Sequence, residues 1–331
     1  MEEGKQIIIS PSALTEDFNP SRMYARDGQM QQMAQCLAPI ANGSRPRSML
    51  LYGPPGTGKT CVSRYILTQL AESASFQHAY VNCWNFESRF KILYTILQKL
   101  GADPSKHRVG TPIDEIIEAL ARKAKARQLV VILDEVDRIS DEKAVYDIIS
   151  LGACVIMIAN DETATYKWDQ RIRSRLSSAE RIAFPKYRPD EIEGILKDRA
   201  EWALAPGSIS IKEIVRIAER ANGDARTAIA ALRQAAEKAE ADGKGRIASD
   251  MLPELSGKKE REPELNQHQM IALSAIKSEG SMATAKLLDY INKNAGEPIA
   301  ERTFRKYMEG LARLGLVKSE GEGRWRRYSA A

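Results

Sequence analysis

The sequence predicts an α/β protein with a parallel sheet core wrapped by helices, a helical second domain and a C-terminal winged helix. Three observations carry that prediction. Short apolar runs alternate with helical patterns between residues 48 and 159, the pattern is helical only from Pro189 to Ala241, and three helices followed by a basic hairpin close the chain. At about 150 residues per domain, the 331 residues exceed one compact unit, and 43% hydrophobic against 28% charged residues is a globular balance.

The elements follow in order. A polar stretch through residue 46 carries one helix, Asp27 to Ile40, and Asn42-Gly43-Ser44 ends it. Apolar runs at Ser48 to Tyr52, Ala79 to Val81, Leu129 to Leu133 and Cys154 to Ala159 alternate with helical patterns at Val62 to Leu70, Phe86 to Leu100, Ile113 to Ala126 and Lys143 to Ile149. Pro189 to Leu204, Ile211 to Ala221 and Asp224 to Ala241 read as three helices. The charged run Gly257 to Pro263 has no apolar residue and ends in proline, which marks a linker. The expected domains are therefore 1–185, 186–256, a linker at 257–264, and 265–331.

Composition excludes several classes. The longest apolar stretch, Ala153 to Ala159, is far below the ~20 residues of a spanning helix, and Met1-Glu2-Glu3 does not open a signal peptide. A cytoplasmic protein with no membrane partner is expected. Cys36, Cys61, Cys83 and Cys154 form no CxxC pair, and His78, His107 and His268 are dispersed, so no disulfide framework or structural zinc is expected. Net charge is +5, of which +4 falls within residues 265–331.

Gly53-Pro54-Pro55-Gly56-Thr57-Gly58-Lys59-Thr60 fits GxxxxGK[ST], following an apolar run and preceding a helical pattern. Such glycines let backbone N–H groups close around phosphates at a helix N-terminus, Lys59 neutralises the β and γ phosphates, and Thr60 can ligate Mg²⁺. ATP or ADP with Mg²⁺ is the expected ligand. The run Leu129 to Leu133 delivers Asp134 and Glu135 to the strand end where open parallel sheets bind ligands. Asp134 is the candidate Mg²⁺ ligand and Glu135 the base for the attacking water, the plainer reading being loop acids or helix caps. Asn160 ends the neighbouring run and is placed to reach the γ-phosphate and the water, unless it is a strand-ending turn residue.

In the C-terminal unit, Leu316 to Ser319, a Gly321-Glu322-Gly323 turn and Arg324 to Tyr328 form the expected hairpin. Phe304, Met308 and Leu311 make the apolar face of the third helix, opposite Arg302, Arg305, Lys306 and Arg313. Arg302, Arg305 and Lys306 suit a major-groove helix and Arg324 a wing in the minor groove. A winged helix used for protein contacts is the plainer alternative.

The run Leu129 to Asp137 together with the GPPGTGKT loop resembles the AAA+ ATPases. That resemblance implies a lid-domain sensor arginine at Arg226, within Gly223-Asp224-Ala225-Arg226. There Asp224 is a natural N-cap and Arg226 opposes the helix dipole by ~0.3–1 kcal/mol, a cost a nearby phosphate offsets. It also implies a finger arginine, reaching a neighbour's nucleotide, among Arg171, Arg173 and Arg175. Arg175 is the candidate, and a cluster of surface arginines is nearly as good a reading.

Taken in order, Arg26-Asp27, Tyr80-Val81-Asn82-Cys83, Asp134 to Asp137, the RIRSRL run at 171–176, Phe184-Pro185-Lys186-Tyr187 and the GDARTAIAALR run at 223–233 resemble the archaeal origin-recognition and cell-division-control family of replication initiators. The resemblance implies a slow ATPase used as a switch, with Arg26 at the nucleotide. Its implied partners are double-stranded origin DNA, other initiator protomers and the replicative helicase, and its place is on the chromosome. It further implies a DNA-touching helical insertion within Phe86 to Pro112, where Arg89, Lys106 and Arg108 are the cationic candidates. The alternatives are a branch-migration motor, which carries DExH where this chain has Asp134-Glu135-Val136-Asp137, a clamp-loader subunit, and a nucleotide-sensing winged-helix transcription regulator.

Overall fold

The structure is a computed structural model that describes residues 6–15, 18, 20, 22–101, 111–254, 267–295, 298–313, 316–321 and 326–330. The expected linker, 257–264, lies outside the described residues, as do Lys106, Arg108 and Arg324. Two compact units divide the chain, 1–257 and 258–331. Among the described residues no helix is long and apolar enough to cross a membrane.

The first unit begins with α1 (Asp27–Leu37), β1 (Met49–Tyr52), α2 (Lys59–Ser73), β2 (Gln77–Asn82), α3 (Arg89–Lys99), α4 (Ile113–Ala126), β3 (Leu129–Asp134), α5 (Lys143–Ser150), β4 (Cys154–Ala159), α6 (Gln170–Arg175) and β5 (Glu180–Ala183). The five strands form one parallel sheet in the order β2-β3-β4-β1-β5. Every residue of β3 and β4 is buried, because helices cover both faces. Val131, Leu133, Val155 and Met157 pack with Ile92 and Ile96 of α3, Leu120 of α4 and Ile148 of α5. Val130, Ile132, Ile156 and Ile158 pack on the other face with Met33 and Leu37 of α1 and Val62 and Ile66 of α2. The period-2 alternation is thus present but apolar on both sides, which is why these strands read as unbroken runs.

Strand β5 and helix α6 are additions to the sequence reading. In Glu180-Arg181-Ile182-Ala183 only Ile182 is buried, so this edge strand carries too little apolar signal to stand out from a turn.

Helices α7 (Pro189–Ala203), α8 (Ile211–Arg220) and α9 (Ala225–Ala241) complete the unit. Small residues of α9, Ala228, Ala231, Ala235 and Ala239, pack with Ile192 and Leu196 of α7 and Ile214 and Ile217 of α8. Residues Ile7, Ile8, Ala13 and Leu14, read with the sheet-bearing core from sequence, join this helical core instead. The backbone N–H groups of Ile7 and Ile8 donate to Glu240 Oε1 at 2.7 and 2.8 Å, and Ile8 forms a bridge with Leu204.

The second unit contains α10 (Gln267–Glu279), β6 (Ser281–Ala283), α11 (Thr284–Asn294), α12 (Glu301–Arg313), β7 (Val317–Glu320) and β8 (Arg327–Ala330). The strands form an antiparallel sheet in the order β6-β8-β7. Glu320 pairs with Arg327, so the hairpin arms sit slightly later than the sequence pattern places them. Ile276, Leu287, Ile291, Phe304, Met308, Leu311 and Val317 form the core, with Tyr328 packed edge-on against Phe304 at 5.9 Å between ring centroids. Among the described residues, three helices and a three-stranded sheet in this order are consistent with a winged helix, and the three-residue β6 is an addition to the sequence pattern.

Candidate nucleotide site

The phosphate loop leaves β1 and enters α2, as its sequence context requires. Gly53, Gly56 and Gly58 all have positive φ, at 146°, 72° and 90°. Gly56 meets a second constraint, because a Cβ there would collide with the carboxylate of Asp224. The helical domain therefore rests directly on this turn. Ala225 N–H donates to Gly56 O at 3.1 Å, and Asp224 caps α9 by accepting from Thr227 N–H at 3.0 Å. Arg226 follows in the first turn of α9, and its charge reaches both Lys59 and Glu135.

Lys59 is buried, and its Nζ donates to Gly53 O at 2.5 Å and Pro54 O at 2.8 Å. Burial is the main cause of a pKa lowered to about 8, with Asp134 opposing and Arg226 reinforcing the shift. A phosphate beside this amine raises the value again, so binding takes up protons. At pH 8, where the nucleotide phosphates are ionised, Lys59 is expected to take up about half a proton per nucleotide, so affinity declines as pH rises above about 8. Titrating ADP calorimetrically in buffers of different ionisation enthalpy counts those protons; zero uptake at pH 8 would mean that Lys59 is fully charged before binding.

Asp134 ends β3 with its side chain buried. Its Oδ2 accepts from Thr60 Oγ1 at 2.7 Å and from the Tyr80 hydroxyl at 2.9 Å, and its Oδ1 accepts from Glu135 N–H at 3.0 Å. The pairing of Thr60 with Asp134 across 74 positions brings together the two oxygen donors that a Mg²⁺ ion beside a β-phosphate requires, so the residues fit the nucleotide and the metal. Burial and the Asp134 charge push the Tyr80 phenol up to about 12. Glu135 has φ +56°, a left-handed conformation that non-glycine residues seldom adopt. Burial first, then the charges of Asp134 and Asp137, raise its carboxyl above the ordinary range, with Arg138 and Arg226 opposing. Asn160 is exposed and lies one residue past the Tyr52–Ala159 pair, at the strand end shared with Gly53.

Arg26, expected at the nucleotide, lies against the phosphate loop. Its buried guanidinium donates to Thr57 O at 3.1 Å and Pro185 O at 2.7 Å and lies 3.7 Å from the centroid of the Tyr187 ring. It braces the phosphate loop through the backbone. Arg175 lies 4.5 Å from the centroid of the Tyr146 ring and donates to its hydroxyl at 3.2 Å, which ties α6 to α5. Its polar contacts include none to the phosphate loop. Arg171 pairs with Asp169 at 3.5 Å.

Arg89, a candidate DNA contact by sequence, is engaged inside the unit. Its guanidinium takes Asp147 in a fork, at 2.6 and 3.2 Å, joining α3 to α5. Arg89→Ala is expected to lower unfolding stability by about 1–3 kcal/mol, since it strands a mostly buried carboxylate. Urea denaturation measures this, and DNA affinity lost without any stability change would return Arg89 to the surface role.

On α12 of the second unit, Arg302, Arg305 and Lys306 are all exposed. Arg305 holds Glu301 one turn earlier at 2.5 Å, an exposed pair worth about 0–1 kcal/mol that competes weakly with a phosphate. Tyr80 is a site residue to which the sequence assigns no role, although the Tyr80–Cys83 segment is among those that carry the family resemblance and stands at the end of the strand flanking β3.

The chain is similar to several known proteins. Residues 42–163 match the AAA domain family and residues 193–254 the Cdc6 AAA+ ATPase-type lid domain. The ORC1-type DNA replication protein 9 of Halobacterium salinarum is 34% identical, over 98% of this chain and 94% of that protein. Among solved structures, the ADP form of the Aeropyrum pernix ORC2 protein superposes with a TM-score of 0.78 at 22% identity, covering 98% of this chain and 94% of that one. The Aeropyrum pernix ORC1 protein in complex with DNA gives 0.68 at 24%, covering 100% and 94%. The two structures share the fold, and the sequence identity along nearly the full length shows the kinship: the chain belongs to the ORC1-type, Orc/Cdc6 family of AAA+ DNA replication proteins.

Proposed function

We propose that this protein is an ATP-dependent replication initiator that binds double-stranded origin DNA and helps to recruit or load the replicative helicase. The observation that carries the proposal is the Thr60–Asp134 pair beside Lys59, with the Asp224 turn of the lid seated on the same loop. Lys59 holds the β and γ phosphates and Thr60 and Asp134 hold Mg²⁺, which supplies charge neutralisation when bound. Glu135 takes the proton of the attacking water, helped by its raised carboxyl, and Asn160 orients that water. Arg226 reads the γ-phosphate from the lid, and Arg175 acts on the nucleotide of a neighbouring protomer. Hydrolysis is slow and works as a switch. Arg302, Arg305, Lys306 and Arg324 touch DNA, a reading supported by the relative whose structure is in complex with DNA. The protein acts on the chromosome, in the cytoplasm.

The domain limits 186–256 and 265–331 belong to the same proposal, with residues 7–14 of the expected 1–185 core assigned to the helical domain on which they pack. The test is genome-wide mapping of the protein on its own chromosome. Occupancy of one or a few intergenic repeat clusters is expected, whereas dispersed promoter occupancy would support the transcription-regulator reading. A second test addresses the lid. Arg226→Ala is expected to shrink the difference between ATP- and ADP-bound forms in protease sensitivity, because that side chain and the phosphate loop share one ligand from different domains; an undiminished difference would leave Arg226 without the sensor role.

A further inference from the structure

Three donors fix the carboxylate of Asp134, and the roles assigned so far use only two of them. Glu135 N–H holds Oδ1, while Thr60 and Tyr80 share Oδ2. A carboxylate accepts at about four lone-pair sites, so one direction is left for a metal or its bound water. Thr60 has to turn its own oxygen toward the metal, which makes its donor bond to Asp134 dependent on the metal's presence. Tyr80 is under no such demand. It stands on β2, hydrogen-bonded along its length to β3, with Tyr80 opposite Ile132 and Asn82 opposite Asp134. Its ring lies half-buried, with the Arg64 guanidinium 4.2 Å from its centroid. A phenol on a rigid neighbouring strand sets the rotation of the carboxylate about its Cβ–Cγ bond before any metal arrives.

We propose that Tyr80 is a positioning residue for Mg²⁺, its hydroxyl aiming the free lone pair of Asp134 at the metal of the nucleotide complex. The inference rests on the nucleotide reading above and adds to it a residue 54 positions from its target in sequence.

Tyr80→Phe deletes the hydroxyl and keeps the ring under Arg64. ADP binding to the full-length variant and to wild type is measured by calorimetry in Mg²⁺ and in EDTA. The gain in ADP affinity that Mg²⁺ confers is expected to fall by about tenfold, as for removal of an outer-sphere partner of a metal ligand. Affinity in EDTA should stay within about twofold, because Tyr80 contacts no phosphate-binding group. The Mg²⁺ concentration for half-maximal hydrolysis should rise by a similar factor. A Mg²⁺ gain equal to that of wild type overturns the proposal alone. Equal losses in Mg²⁺ and in EDTA also overturn it, by assigning Tyr80 to packing. Wild-type protein that gains nothing from Mg²⁺ overturns the nucleotide–metal reading and the proposal together. In an Asp134→Asn background, Tyr80→Phe should cost nothing further; a full second tenfold loss there would show that the hydroxyl acts elsewhere.

Discussion

Glu135→Gln is expected to bind ATP and ADP as wild type does and to lower the single-turnover hydrolysis rate by about 10²–10⁴-fold, the usual span for a lost general base. The amide keeps the size and the left-handed backbone of the residue but cannot accept the proton of the attacking water. Lys59→Ala should fail earlier, weakening ATP and ADP together by about a hundredfold, because the ammonium serves phosphates common to both. The contrast between the two variants is the informative result. Lys59 holds Gly53 O and Pro54 O, so its loss also slackens the loop, and the ADP defect measures both effects. Glu135→Gln protein that hydrolyses at the wild-type rate would move the base to another group, with Asp137 the next acid along the chain.

The second large effect is expected on DNA. Arg302 and Arg305 sit in the first turns of α12, where a groove-reading helix brings side chains to base edges. Alanine at either should cost about 1–3 kcal/mol on origin DNA and relax sequence preference. Arg324, assigned from its sequence position beside the hairpin turn, should act on phosphates or the minor groove. Its loss should weaken all duplexes alike and make the log-affinity against log-salt slope shallower by about one unit. Salt titrations of the three variants on origin and random duplex separate these roles. Wild-type behaviour of all three on both DNAs would make the second unit a protein-contact module.

What was legible in the sequence was local. The phosphate loop and the Asp134-Glu135 pair each occupy a few consecutive residues next to a strong strand pattern, so spacing alone makes them candidates. The lid helices were legible for a similar reason, since Asp224 caps a long alanine-rich run. Contacts between distant segments were not. Nothing near Arg89 announces Asp147, and nothing near Arg26 announces that Thr57 O, Pro185 O and the Tyr187 ring will surround it. The family resemblance implies ligands for both arginines, but a cation in a sequence shows its charge and hides its partner within the fold. Strands β5 and β6 were missed because each is short and buries a single side chain.

The anchoring of Ile7–Leu14 on α7–α9 makes the lid a discontinuous body, assembled from both ends of the first unit. Its two parts are separated by the entire sheet in the order of synthesis, so the hydrophobic surface that awaits α9 is translated first and covered last. The nascent sheet can complete itself once β5 has emerged, while the lid must wait for Glu240 to capture the amides of Ile7 and Ile8. A lid fragment excised at residue 186 would therefore lack part of its own interior, and carrying residues 6–15 on a tether should restore it.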